Sequence, residues 1–118
     1  MGLSFSSIDT ENEKGFGYVP DHYDHNDKRF KIKGIEKHKI KNRYNLKEFF
    51  PQVTDQSYLN CSTSDAISSV VQYELNSKGV RFTPSRMFIY YIARMVTKQT
   101  HENVGTTIKN TLNQMNKY

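Results

Sequence analysis

The amino-acid sequence predicts one small, mainly α-helical domain that follows a long, irregular and basic N-terminal segment. Apolar residues recur at helical spacing in the second half of the chain, which is typical of amphipathic helices. The first 44 residues are instead rich in polar and basic side chains, with glycine and proline among them. Because the chain has 118 residues, of which 36% are hydrophobic, we expect a single domain with a small core.

Changes in composition divide the chain into three segments. Residues 1–15 are polar and indicate a tail. Residues 16–44 read as an extended, basic segment, and the alternation of apolar and basic residues at 30–33 predicts a short strand within it. Apolar residues become denser from Asn45 onward, so we expect residues 45–118 to fold as a helical lobe.

The first of three predicted helices begins at an N-cap, Ser62 or Thr63, since hydroxyl side chains can accept a hydrogen bond from the first helical turn. It ends at Gly79, because glycine readily adopts the backbone conformation that leaves a helix. Its apolar positions are Ala66, Ile67, Val70, Val71 and Leu75.

The second helix is predicted to begin around Pro84, with Thr83 as its N-cap, since proline is tolerated in a first turn. Its side chains are apolar on most sides, which predicts that it is well buried: Met87, Phe88, Tyr90, Tyr91, Ala93 and Met95. A third helix is predicted from Val104 or Gly105 to Asn116. It carries Ile108, Leu112 and Met115 on one face.

The basic charge is concentrated between residues 28 and 47, where nine lysines and arginines accompany one acidic residue, Glu36. Such a block can bind nucleic-acid phosphates, because each neutralised phosphate releases counterions. No recognition helix, zinc module or aromatic stacking platform accompanies it, and these usually carry base recognition. We therefore favour a solvated linker over nucleic-acid binding.

Several function classes are excluded or disfavoured. No apolar run approaches the 18 residues that a membrane-spanning helix needs. The first ten residues lack the basic and apolar regions of a secretory signal, so we expect a cytoplasmic protein. The single cysteine, Cys61, cannot form an internal disulfide, which fits a reducing compartment.

Two histidines, His22 and His25, lie among three aspartates at positions 21, 24 and 27. Their spacing is that of no standard zinc site, and the only cysteine is far away in the sequence. We interpret the segment as a solvated acidic turn and expect neither a metal nor a cofactor.

Residues 50–66, FPQVTDQSYLNCSTSDA, resemble the segment P-x-V-x-D-Q-G-x-L-G-S-C-T-A-N-A of papain-like cysteine peptidases. Residues 82–91, FTPSRMFIYY, with Arg94, are similar to F-x-P-S-R-L-F-I-Y-Y-N-x-R in the branch found in bacteria, archaea and large DNA viruses. Residues 15–28 and 44–46 resemble upstream elements of that branch. The resemblance implies the α+β papain-like fold, of which this chain would supply the helical N-terminal lobe, with residues 16–44 as a pro-region or linker.

The same resemblance assigns the site residues. Gln56 falls on the glutamine that donates to the oxyanion, a role that suits a side-chain amide. The nucleophile position, six residues later, is occupied by Ser62, and Cys61 is displaced from it by one residue, which is about 100° of rotation on a helix. Ser57 and Asn60 stand where the family has glycines.

The resemblance also implies a histidine base, which papain-like enzymes carry roughly 130–150 residues after the cysteine. Only 57 residues follow Cys61, and His101 is the one histidine among them. We therefore predict a truncated peptidase homologue that is inactive as this chain. If it is active, its substrate would be a peptide or protein.

Two alternatives remain open. A helical lobe without its β-rich partner exposes an apolar face, which favours an interaction module that binds a protein partner or itself. A second chain that supplies the histidine would make this chain half of a split peptidase. Weak nucleic-acid binding through residues 28–47 is the second alternative.

Overall fold

The computed structural model describes residues 16–31, residue 34 and residues 41–118. Three helices dominate it: α1 (Ser62–Ser77), α2 (Arg86–Met95) and α3 (Ile108–Met115), preceded by a short 3-10 helix, Lys47–Phe49. The described residues contain no β-strand, only an isolated parallel bridge between Tyr18 and Thr106. The mainly α prediction is confirmed. Residues 1–15 and half of the strand predicted at 30–33 lie outside the described residues.

Helix α1 begins one residue earlier than an N-cap at Ser62 would require. Cys61 is its N-cap, and the first turn closes when the Asp65 amide donates to the Cys61 carbonyl at 2.9 Å. The Ser62 hydroxyl is instead bonded to a residue distant in sequence. The predicted end of the helix at Gly79 is within two residues of the observed end at Ser77. The backbone leaves the helix at Gly79, which has a φ of 75°.

Helix α2 begins two residues later than predicted. Its N-cap is Ser85, whose hydroxyl accepts from the Phe88 amide at 3.2 Å, whereas the Thr83 hydroxyl accepts from the Gln72 side chain on α1. The prediction that α2 is buried on most sides was also wrong. Four α2 residues are buried (Ile89, Tyr90, Ile92 and Ala93), and four are at least 40% exposed (Met87, Phe88, Tyr91 and Met95).

Helix α3 begins at Ile108 rather than at Val104 or Gly105. The preceding residues pair with the N-terminal segment instead, since the Thr106 amide donates to the Gly17 carbonyl at 2.9 Å. Thr107 is the N-cap and accepts from the Asn110 amide. The predicted apolar face does not line the core. Ile108 and Leu112 are more than 40% exposed, whereas the buried residues of α3 are Thr111 and Gln114.

The core lies where α2 packs against both α1 and α3. Six apolar residues are buried in the part of the chain that the structure describes: Cys61, Ile67, Ile89, Tyr90, Ile92 and Ala93. Six polar residues are buried with them: Thr63, Ser64, Ser68, Thr106, Thr111 and Gln114. A core that is half polar depends on hydrogen bonds, because each buried polar group without a partner lowers stability. None of the described helices is long and apolar enough to cross a membrane.

The buried hydroxyls allow a test of this dependence. Ser64 Oγ has no hydrogen-bond partner among the described residues, whereas the matched hydroxyl of Ser68 on the same helix donates to the Pro84 carbonyl at 3.1 Å. We expect Ser64→Ala to leave the free energy of unfolding unchanged or to raise it by about 1 kcal/mol. Ser68→Ala should lower it by about 1 kcal/mol or more, because it leaves a carbonyl unpaired. Denaturant unfolding measures both, and equal losses in the two variants would contradict the account.

Candidate functional site

The predicted site residues meet at the N-terminus of α1. Gln56 and Ser62 line the same cavity, of about 870 Å³, together with Asp65 and Ser69 from the exposed side of the helix. Cys61 does not line it, because its side chain is fully buried. The structure therefore brings Gln56 and Ser62 together and turns Cys61 into the core.

The environment of Cys61 disfavours a thiolate. Burial raises the pKa of the thiol, and the nearby Asp65 carboxylate raises it further, with the Arg86 guanidinium offsetting part of the effect. Cys61 Sγ lies 3.7 Å from Asp65 Oδ1 and donates to it. Because the thiolate is the reactive form of cysteine, this side chain is suited to packing rather than to nucleophilic attack.

Ser62 is the first residue of α1 and is partly exposed. Its hydroxyl oxygen accepts a hydrogen bond from the Gly17 amide at 2.7 Å. Three of the four histidines are described, at positions 22, 25 and 101, and none of them is hydrogen-bonded to Ser62 or Cys61; His38 lies outside the described residues. In the described part of the chain, neither candidate nucleophile is therefore hydrogen-bonded to a histidine that could act as its base.

The loop that carries Gln56 is tightly folded. Gln56 Nε2 donates to the Leu59 carbonyl at 2.9 Å, and Asp55 accepts from the Ser57 amide at 2.7 Å. Ser57 has a φ of 52°, in the left-handed region that favours glycine. The loop therefore has a left-handed backbone at the position where the resembling peptidases have glycine, at a cost of about 1 kcal/mol for the serine side chain.

Sequence reasoning missed the two residues that hold this loop. Arg86 Nη1 donates to the Asp55 carbonyl at 3.1 Å and lies 3.3 Å from Asp65 Oδ2, so it ties the loop to the first turn of α1. Asn103 accepts from the Asn60 amide at 2.8 Å and donates to the Tyr58 carbonyl at 2.8 Å. Arg86 lies in the motif at residues 82–91, but that motif does not indicate its partners. The contacts of Arg86 span 21 and 31 residues of the chain, and those of Asn103 with the loop span 43 and 45.

Residues 16–27, which we call the N-terminal strap, cross the start of α1 and reach the start of α3. The residues of the predicted acidic turn are mostly exposed, and two of its aspartates are ion-paired. Lys109 Nζ lies 2.5 Å from Asp24 Oδ2 and 2.7 Å from Asp27 Oδ1. Asp21 accepts from the Lys109 backbone amide. The described residues contain no group of three or more metal-ligating side chains.

The basic segment is described only in part. Six of its nine basic residues are described, and all six are exposed: Lys28, Arg29, Lys31, Lys41, Arg43 and Lys47. The ammonium of Lys41 lies 6.0 Å from the ring of Tyr44. The other three, at positions 33, 37 and 39, lie outside the described residues. Nucleic-acid binding through this segment stays a prediction.

The ion pairs of the strap predict a pH dependence at one carboxyl. The hydrogen bond from Lys109, followed by that from the Asn26 amide, holds the pKa of Asp24 below its ordinary value of 3.8. The pairing therefore contributes stability above that value and loses it as the pH falls through the lowered pKa. Titration of the Asp24 carboxyl by NMR should give a pKa below 3.8, and Lys109→Met should return it towards 3.8. An Asp24 pKa that is the same in both proteins would contradict the pairing.

The comparison with solved structures bears on the fold. No protein-family model matches the chain, and no curated protein matches it. Among solved structures, it is similar to the crystal structure of xylellain, a cysteine protease from Xylella fastidiosa, with a TM-score of 0.65 and 24% sequence identity. The match covers 92% of this chain and 41% of xylellain, so the chain spans less than half of that protein. The described residues therefore have the fold of part of a papain-like cysteine protease.

Proposed function

We propose that the chain is a catalytically inactive homologue of the N-terminal part of papain-like cysteine peptidases, from the branch that its motifs resemble. One observation carries the proposal. At the position that the resemblance assigns to the nucleophile, the chain has Ser62, and the hydroxyl of that serine is bonded to the Gly17 amide. The single cysteine is adjacent but fully buried.

The chemistry of the two side chains supports inactivity. A serine hydroxyl attacks a peptide carbonyl only when a base accepts its proton, and the described histidines do not contact Ser62. A cysteine attacks as its thiolate, and both burial and the Asp65 carboxylate raise the pKa of Cys61. Among the described residues, neither side chain therefore has a group that activates it for peptide hydrolysis.

The oxyanion position supports the same proposal more weakly. An oxyanion donor must point at the oxygen on which negative charge develops in the transition state. The amide nitrogen of Gln56 donates to the Leu59 carbonyl within its own loop. The residue that matches the family is thus present, and one hydrogen of its amide is used within the loop.

Thiol labelling and a peptidase assay test the proposal together. We expect no hydrolysis of small peptide substrates above the buffer rate. Iodoacetamide should alkylate Cys61 at least tenfold more slowly in the folded chain than in denaturant, and the folded rate should stay low at pH 8 because the thiol pKa is raised.

A matched variant controls the labelling experiment. Cys61→Ser combined with Ser62→Cys moves the thiol by one residue to the partly exposed position, where alkylation should be faster. Hydrolysis by the wild-type chain that is lost in Cys61→Ala or Ser62→Ala would contradict the proposed inactivity.

A second candidate function, an interaction module, is favoured by an apolar cavity of about 490 Å³ on the α1–α3 face. It is lined by the side chains of Tyr18, Ala66, Ile67, Val70, Val71, Ile108 and Leu112, next to Ser62 and Thr63. Val70 is 55% exposed and Leu112 46% exposed, an unusual arrangement for neighbouring apolar residues of two helices. A second protein lobe on this face would bury them, and a histidine-bearing lobe there would give a split peptidase.

Charged substitutions test this second function. We expect Leu112→Glu to weaken binding of an apolar fluorescent dye, and of any co-purifying partner from the native host, by tenfold or more. Tyr91→Glu is the control, because Tyr91 is equally exposed but lies on α2 outside the cavity. A histidine-bearing papain-like partner would identify a split peptidase, and an unrelated one an adaptor. Equal binding by wild type and Leu112→Glu would contradict the interaction module.

A further inference from the structure

We propose that the N-terminal strap is a permanent structural part of the lobe rather than a removable pro-region, and that Ser62 is the positioning residue that anchors it. The inference goes beyond the proposed function, because it assigns the Ser62 hydroxyl a role of its own. It rests on the proposed function only for the identification of position 62 with the nucleophile of the resembling peptidases.

The first end of the strap is fixed at Gly17. Its amide donates to Ser62 Oγ at 2.7 Å, and its carbonyl accepts from the Thr106 amide at 2.9 Å. Thr63 Oγ1 lies within hydrogen-bond distance of two carbonyls, that of Gly17 at 3.1 Å and that of Thr106 at 2.9 Å. Both polar backbone groups of Gly17 are therefore satisfied by the lobe, beside two threonines that are more than 90% buried.

The strap backbone lies so close to the start of α1 at Gly17 that a side chain would not fit there. A Cβ atom at this position would lie 2.1 Å from the Asn60 carbonyl oxygen and 2.6 Å from the Ser62 amide nitrogen. Only glycine allows the strap backbone to lie directly on the backbone at the start of α1. A linker or a removable segment does not need such a contact, whereas a built-in element does.

The middle of the strap joins two helices of the lobe. Tyr18 forms the parallel bridge with Thr106, and the Val19 amide donates to the Thr106 carbonyl at 3.1 Å. The strap thus pairs with the residues before α3 as an added strand would. Its removal would leave the amide of the buried Thr106 without this partner, and buried backbone groups are rarely left unpaired.

The second end is held by charge. Lys109 pairs with Asp24 and Asp27, and these side chains are all between 34% and 55% exposed. Exposed ion pairs are weakened by salt and contribute little to stability. The buried contacts around Gly17 and Ser62 are therefore the anchor, and the ion pairs guide the remainder of the strap.

Residue-resolved hydrogen exchange on the full chain tests the proposal. The Gly17, Val19 and Thr106 amides should exchange at least 100-fold more slowly than in an unfolded peptide. Ser62→Ala should speed the exchange of the Gly17 amide by tenfold or more, and Ser62→Thr, which keeps a hydroxyl, should restore slow exchange. Ser69→Ala is the matched control, because that hydroxyl lies on the same helix and donates to the Asp65 carbonyl within it.

A second variant keeps the test decisive if Ser62→Ala fails to fold. Lys109→Gln should speed exchange at residues 24–27 and leave the Gly17 amide protected, because only the charged end is lost. Rapid exchange of Gly17 in the wild-type chain would overturn the proposal, as would equal exchange in Ser62→Ala and Ser69→Ala. Proteolytic removal of the strap with no change in the exchange of α2 would also overturn it. Peptidase activity would overturn only the proposed inactivity, so the two failures are distinguishable.

Discussion

The close contact between Gly17 and the first turn of α1 is the constraint on which the rest of the site depends. The Gly17 amide donates to one lone pair of the Ser62 hydroxyl, and the Gly17 carbonyl accepts from the Thr106 amide, just before α3. This one contact sets where α3 begins and places Tyr18 at the edge of the apolar cavity. It also provides a hydrogen-bond donor to the serine that the resemblance assigns to the nucleophile position.

The chain has Cys61-Ser62 where the resembling peptidases have serine followed by cysteine, and this reversed order changes the surroundings of both side chains. A cysteine at the N-cap of α1 points into the core, where desolvation and the Asp65 carboxylate favour the neutral thiol. A serine one residue later points towards the cavity and the strap, and its hydroxyl serves as a hydrogen-bond acceptor. At the position that the resemblance assigns to the nucleophile, the chain therefore has a serine whose hydroxyl accepts from the strap, next to a buried cysteine.

The sequence was informative where local chemistry decides the structure. Helical periodicity predicted all three helices, and the motif around Gln56 predicted both the loop and the helix that follows it. The predicted helix boundaries were wrong where a residue near the boundary bonds to a partner far away in the sequence. Thr83 was predicted as a cap but accepts from Gln72, and α3 starts late because Thr106 pairs with Gly17, 89 positions earlier. The apolar face of α3 was recognised, but periodicity does not say whether such a face meets the core or remains exposed.

The central claim is that the Ser62 hydroxyl is a structural acceptor and not a nucleophile. Intact-mass spectrometry of the folded chain after incubation with a serine-reactive fluorophosphonate probe tests it most directly, with the thiol-reactive epoxide probe of cysteine peptidases in parallel. The account predicts no covalent adduct on either Ser62 or Cys61 while the chain is folded. A stoichiometric adduct on Ser62 that is lost in Ser62→Ala would contradict it.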